Sequence, residues 1–330
     1  MRHISLLAAT LLLWPARSVR SPALEAEKFD IDFAHSEIGF GIRFMGLTNV
    51  RGRFKDYQGT IMYVDKDVTK STVTVLIQAK SIDTGTEFRD KDLRSASFFN
   101  VDSFPTIFFQ SSRIERRGDG LVARGSFTLR GVTREIEIPF TQMHRKMLDG
   151  WGNTRIGFAG SVKLNRKDYG ITGTNFWNQF VDLTRMALAD TVEIELSVEG
   201  IVWNFARFDF PARPGTKSLA EAVSQTLSDH GLAALARYPE LKRDTTTYST
   251  GEAQLNSLGY KLLQAGKLDE AVAIFQLNRD NFPQSSNVYD SLGEAYLAKG
   301  DRDDARRCYR KSLELNPQNV GAMEVLRWLT

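Results

Sequence analysis

The 330-residue sequence has a single cysteine, Cys308, so no disulfide can form within the chain. The fold must be held by its cores, which a chain of this length allows. Histidine is nearly as scarce: beyond His3 there are His35, His144 and His230. No two of these share a metal-ligand spacing, and His-Glu-x-x-His and Cys-x-x-Cys are missing, which argues against a zinc site. No phosphate-cradling Gly-x-x-x-x-Gly-Lys occurs, and the Gly-x-Gly at 39–41 lies inside a strand pattern rather than after one. No cofactor is expected. An excess of one charge is also lacking. Setting aside Arg2, Arg17 and Arg20 leaves 40 basic and 40 acidic residues, so bulk electrostatics gives no reason to expect nucleic acid. No apolar run reaches the roughly 20 residues that a membrane-spanning helix needs.

What is present starts with a short basic stretch, Arg2-His3, followed by an apolar run from Ile4 to Trp14 and then small residues. This is the shape of a secretory signal peptide over 1–26, with Ser21-Pro22-Ala23 or Ala23-x-x-Ala26 as cleavage sites. It implies a periplasmic or secreted protein.

From residue 27 to 204 the dominant period is two. Ile38, Phe40, Ile42 and Phe44 alternate with Glu37, Gly39, Gly41 and Arg43. The same alternation recurs around Val73–Gln78, Ile107–Ser111, Ser126–Arg130, Glu135–Phe140, Ile156–Leu164 and Val192–Glu199. Alternation places one set of side chains on one sheet face, and antiparallel sheets with one wet face carry it. Together with Arg51–Tyr63 this gives about eight strands, which can close into a barrel that is either filled or hollow. One short charged helix, 84–94, interrupts them. The Pro- and Gly-bearing segment 205–217 reads as a linker.

Beyond the linker the period becomes helical and a repeat emerges. Leu258-Gly259 recurs as Leu292-Gly293, Gly266 as Gly300, Ala271 as Ala305, Phe275 as Tyr309 and Pro283 as Pro317. The offset matches the roughly 34-residue tetratricopeptide period. The segment 218–330 therefore resembles the tetratricopeptide repeat (TPR) family, with repeats at about 252–284 and 285–318. The resemblance implies antiparallel helix pairs in close contact at Gly259 and Ala271. Two repeats bury little surface alone, so Ser218–Arg237 and Val320–Leu329 are expected to flank them.

The most reactive-looking stretch is FDIDFAHSEIGFGIRF, Phe29–Phe44, with Asp32, His35 and Ser36 close together. A triad needs its base within about 3 Å of the nucleophile and an acid behind the base. In an extended strand Asp32 and His35 face oppositely, as do His35 and Ser36; only a tight turn would bring them together. The alternative to a hydrolase is that these polar residues set a turn and the first strand pairing.

In order along the chain, Asp32-x-x-His35-Ser36 with Phe40, Gly52-x-Phe54, Ser81-Ile82-Asp83-Thr84, Arg89-Asp90-x-x-Leu93, Phe98-Phe99, Phe104-Pro105-x-Ile107-x-Phe109, Gly125-x-Phe127-Thr128-Leu129-x-Gly131-x-Thr133 and Asn165-Arg166-x-Asp168-Tyr169-Gly170 resemble the YceI family of lipocalin-like, polyisoprenoid-binding proteins. Phe29 stands where that family often has tryptophan, and Ser126 where an acid is common. The resemblance implies an all-β antiparallel barrel around an apolar tunnel, and no catalytic residues. The whole chain then reads as a non-enzymatic exported protein holding an amphiphilic lipid, its all-α TPR domain docking a protein partner through its concave face. A filled barrel acting as a scaffold, or a hydrolase, are the alternatives. By parity the lining falls to Ile38, Phe40, Ile42, Phe44, Phe109, Phe127, Phe158, Val192 and Ile194. Arg89, Arg94 and Arg166 are head-group candidates at the mouth, and the aromatic stretch Phe176–Phe180 is a candidate cover.

Overall fold

The computed structural model describes residues 26–174, 180–182, 185–205, 208 and 210–330. The export segment expected at 1–26 and the aromatic stretch around Trp177 lie, all but their last residues, outside them. The N-terminal part runs β1 (Glu27–Ile31), β2 (Glu37–Phe44), β3 (Thr48–Phe54), β4 (Tyr57–Tyr63), β5 (Thr72–Gln78), β6 (Ile82–Asp83), α1 (Glu87–Arg94), β7 (Thr106–Arg117), β8 (Gly120–Leu129), β9 (Val132–Leu148), β10 (Thr154–Asn165), β11 (Phe180–Asp182), β12 (Arg185–Met186) and β13 (Leu188–Val202). The C-terminal part runs β14 (Lys217–Ser218), α2 (Leu219–His230), α3 (Tyr238–Arg243), β15 (Tyr248–Ser249), α4 (Glu252–Gln264), α5 (Leu268–Asn281), α6 (Ser286–Lys299), α7 (Arg302–Leu315) and α8 (Val320–Trp328).

Strands β1-β4-β5-β7-β8-β9-β10-β13 form an eight-stranded antiparallel barrel, closed by pairing of β13 with β1. The flap β2-β3-β6 extends the wall from the other part of the same β13 edge. Parity decides which side chains go inside. On β1, Phe29 and Ile31 face in and Lys28 and Asp30 face out; on β5, Val73, Val75 and Ile77 face in and Thr72 and Thr74 face out. Phe29 is fully buried, edge-on to Tyr63 at 5.8 Å. A bulge between Ser111 and Arg113 shifts the parity of β7, so Phe109 and Ile114 both point inward.

The helical part stacks α4/α5 and α6/α7 as antiparallel pairs. A Cβ at Gly259 would come within 2.5 Å of the Phe275 ring, and one at Gly293 within 2.9 Å of Tyr309. Only glycine lets the paired helices approach that far.

Two expectations change. The segment read as a linker lies along α4: Phe205 stacks on Tyr260 at 4.3 Å, Ser257 Oγ donates to the Phe208 carbonyl at 3.0 Å and Gln254 Nε2 to that of Pro211 at 2.9 Å. Nor is the inner face of the repeats open to a partner, because the outer wall of the barrel occupies it. Lys28 of β1 enters between Glu294 (2.6 Å) and Asp290 (3.1 Å) of α6, and Tyr260 of α4 donates to Glu294 at 2.7 Å. Glu324 of α8 is fully buried, taking hydrogen bonds from the Thr72 and Thr74 hydroxyls of β5 and pairing with Arg327 at 2.5 Å. Around these polar contacts, Ala26, Met62 and Val64 pack with Ala305, Tyr309, Ala322, Val325 and Leu329. The C-terminal helix thus flanks α7 on one side and the barrel on the other.

This interface makes a measurable demand. Lys28→Ala leaves two acids in a largely buried site without their counter-charge and should cost about 3 kcal/mol in urea unfolding. Glu294→Gln in that background should recover part of the loss. Strictly additive costs would show that Lys28 and Glu294 are not coupled.

Candidate ligand cavity and the Asp32 corner

The barrel is not filled. A cavity of about 660 Å³ runs through it, within the size range of small-molecule sites. All nine residues picked out by parity line it: Ile38, Phe40, Ile42 and Phe44 from β2, Phe109 from β7, Phe127 from β8, Phe158 from β10, and Val192 and Ile194 from β13. Four of them face one another across the paired strands β2 and β13, with Val192 opposite Ile42 and Ile194 opposite Phe40. Ile136, Ile138 and Phe140 of β9 and Val73, Val75 and Ile77 of β5 line it too. The same alternation carried these residues; extending the parity argument to every strand would have found them.

One end of the cavity reaches the surface beside α1. Phe88 lines the cavity and is nevertheless 85% exposed. This helix is anchored by Asp90, whose buried carboxylate accepts from the Thr84 amide at 2.9 Å and its hydroxyl at 2.5 Å. Phe88 and Leu93 were missed because α1 is so charged that it reads as a solvated helix. Toward the other end Phe29, Tyr63, Ile114 and Ile156 pack together.

The three arginines proposed for a head group fare differently. Arg89 lines the mouth and donates from Nε to the Thr84 hydroxyl (2.7 Å) and from Nη2 to its carbonyl (2.8 Å). Arg94 does not line the cavity; it donates to the carbonyls of Lys80 and Ile82, both at 3.0 Å. Arg166 lines it with its side chain, but its guanidinium is committed elsewhere. Nη1 donates to Ile171 (2.7 Å) and Thr172 (2.8 Å), Nε to Ala189 (3.0 Å), and Nη2 pairs with Asp190 (3.2 Å). Burial pulls the Arg166 pKa down, with Asp190 opposing. Of the three, Arg89 keeps a place at the rim.

The Asp32 corner corrects the strand argument. Residues 32–36 are not extended but turn, with the Ala34 amide donating to Asp32 Oδ1 at 3.0 Å and the His35 amide to the Asp32 carbonyl at 3.2 Å. His35 Nδ1 therefore does reach Asp32 Oδ2, at 2.8 Å. Ser36 does not join them. Its hydroxyl accepts from the Glu199 amide at 2.9 Å and donates to the Glu199 carbonyl at 3.3 Å, pinning the start of β2 to β13. Arg155 Nη1 bonds both Asp32 (2.9 Å) and Glu199, and Nε bonds Asp149 at 2.6 Å. Burial opposes the Asp32 charge, yet hydrogen bonds from His35, Arg155 and the Ala34 amide hold its pKa below the usual value. Asp32, His35 and Glu199 offer ligand atoms within 4.8 Å of one another. The guanidinium of Arg155 already bridges the two carboxylates and supplies the cation there.

Known proteins match the two parts of the chain separately. Residues 29–200 match the YceI-like domain family, and residues 286–319 match the tetratricopeptide repeat. A UPF0312 protein of Pseudomonas paraeruginosa is 36% identical over 194 residues, spanning 58% of this chain and 96% of that protein. Among solved structures, BcnA of Burkholderia cenocepacia is similar at 19% identity and a TM-score of 0.44, covering 51% of this chain and 98% of that one. A polyisoprenoid binding domain from Saccharophagus degradans is similar at 14% identity and a TM-score of 0.39, covering 52% and 97%. With its barrel matched over half the chain and along nearly the full length of a curated relative, this protein belongs to the YceI family.

Proposed function

We propose that this protein is exported and holds one amphiphilic lipid, a polyisoprenoid or a similar long apolar chain, in its barrel, with the head group at the mouth beside Arg89. The observation that carries this reading is the cavity itself: about 660 Å³, walled by aromatic and branched apolar side chains and reaching the surface at α1. Each methylene moved from water into such walls gains roughly 0.8 kcal/mol. A polar ligand would leave its own groups unpaired there. The cavity speaks against a filled scaffold, and the commitment of Ser36 to the Glu199 backbone speaks against a serine nucleophile at the Asp32 corner. The repeats, in this reading, brace the barrel from outside; a protein partner would meet the outer helices α5 and α7 instead of the concave face.

Native mass spectrometry and lipid extraction of the purified chain should find a co-purified amphiphile, or uptake of an added polyprenyl chain. An empty barrel that takes up no such chain would overturn the reading. Val192→Trp places an indole in the cavity opposite Ile42. It should cut uptake by about tenfold or more, with the melting temperature held or raised because the cavity is filled rather than a core overpacked. For export, the mass of the chain recovered outside the cytoplasm should lack about the first 20–26 residues, as expected of a cleaved signal peptide; an intact chain confined to the cytoplasm would refute that part.

A further inference from the structure

The end of β9 and the turn after it run past β8, while β10 stays paired to β13. The last pairing of β9 with β8 is Phe140 opposite Leu121, and residues 141–148 continue paired to β10. This overhang carries large apolar side chains in solvent: Met143 is 67% exposed, Met147 42%, Leu148 70% and Trp151 63%. Monomeric proteins rarely expose such a cluster without a partner for it.

We propose that this hairpin tip inserts into the interfacial layer of a bilayer bearing anionic lipids. The alternation of the ladder favours a bilayer over a protein. Met147 pairs with Arg155 and Leu148 with Thr154, so these neighbours point to opposite faces of the sheet at its β9 edge, and both are exposed. A protein surface laid on the sheet covers one of its faces; an interfacial layer surrounds an inserted strand end and turn on both. Tryptophan suits that layer, with an apolar ring and one N–H for the water side.

The charge at the tip is complementary to such a surface. Arg145 and Lys146 lie among the apolar residues, and the acid of the tip, Asp149, is turned inward. It accepts from the Trp151 amide at 2.8 Å and the Asn153 amide at 2.9 Å, and it pairs with Arg155 at 2.6 Å. Burial works against the Asp149 charge, but hydrogen bonds from Arg155, Asn153 and the Trp151 amide keep its pKa far below the ordinary carboxylate range. The turn therefore presents Trp151 on a fixed backbone, with its own negative charge neutralised. The remaining charge is basic, apart from the contact of Lys146 with Glu27. This proposal does not depend on what the cavity holds, since the overhang lies at the end of the barrel away from α1.

The test uses the full chain and vesicles of phosphatidylcholine alone or mixed with phosphatidylglycerol. The emission contributed by Trp151, read as wild type minus Trp151→Phe, should shift to the blue and be quenched by brominated phosphatidylcholine on the mixed vesicles. Leu148→Ser with Trp151→Ser should weaken flotation by about tenfold or more. Arg145→Glu should weaken it about fivefold or more on the anionic vesicles and hardly at all on the neutral ones. The N-terminal segment is common to all variants and cancels in these differences. If Trp151 emission is unchanged and unquenched on the mixed vesicles, the proposal is wrong, and capture of the hairpin by a protein without lipid contact would replace it.

Discussion

A barrel satisfies the hydrogen bonds of its wall only if the last strand returns to the first, and here β13 carries that burden alone. One edge pairs with β10 along nearly its whole length. The other edge is divided, its end pairing with β1 at Gly200 and Ile201 and the stretch Leu188–Ser197 pairing with β2. The chain between β1 and β2 must therefore step off the ladder and back on. Asp32 to Ser36 is that step. Where the ladder is interrupted, the Ser36 hydroxyl bonds both the amide and the carbonyl of Glu199, standing in for a missing strand partner. The residues that look most like a catalytic triad are thus spent on closing the wall.

Once the wall is closed, its circumference decides what can sit inside. Eight strands leave room that side chains either fill or leave for one ligand. Two features of this chain keep the space open. Gly160, at an inward position of β10, lines the cavity without a side chain, and the largest inward aromatics gather in two clusters toward the ends. The two ends also differ. The α1 end has the opening, Phe88 and Arg89; the far end has the overhanging end of β9. A tip docked in a membrane interface, as proposed above, would hold the mouth away from that surface.

Much of this was legible in the sequence, and the reason is period. Strand parity depends on neighbours alone, so Ile38-x-Phe40-x-Ile42-x-Phe44 sufficed to place four side chains on one face, and all four line the cavity. The repeat offset likewise depends on spacing, and Gly259 and Gly293 sit where two helices press together. What parity cannot carry is any event that breaks the ladder. The turn at 32–36 brought together Asp32 and His35, which an extended strand would separate. Arg166 kept its predicted position at the cavity, but its guanidinium went to carbonyls of a loop whose path no local pattern describes. Contacts across long sequence separations were equally hidden. Lys28 alternates with Phe29 like any outward strand residue, and its partners lie more than 260 positions away.

Those distant partners explain why the repeats face inward. Apolar packing alone, as between Met62, Val64 and Val325, gives adhesion with little preference for register. Charges placed among those side chains add a requirement that a shifted arrangement would not meet. Burial disfavours the Lys28 ammonium, yet Asp290 and Glu294 raise its pKa well above the usual value, and burial raises that of Glu294. A slip of the helices by one turn would strand Lys28 away from these acids, at the cost of an unpaired buried charge, and would take from Glu324 the Thr72 and Thr74 hydroxyls that bond it beside Arg327. The groove that such repeats can offer to an extended partner is here specified, charge by charge, for the outer face of β1, β4 and β5. A competing ligand for that groove would have to supply a cation at the Lys28 position and hydroxyl donors at the Glu324 position together.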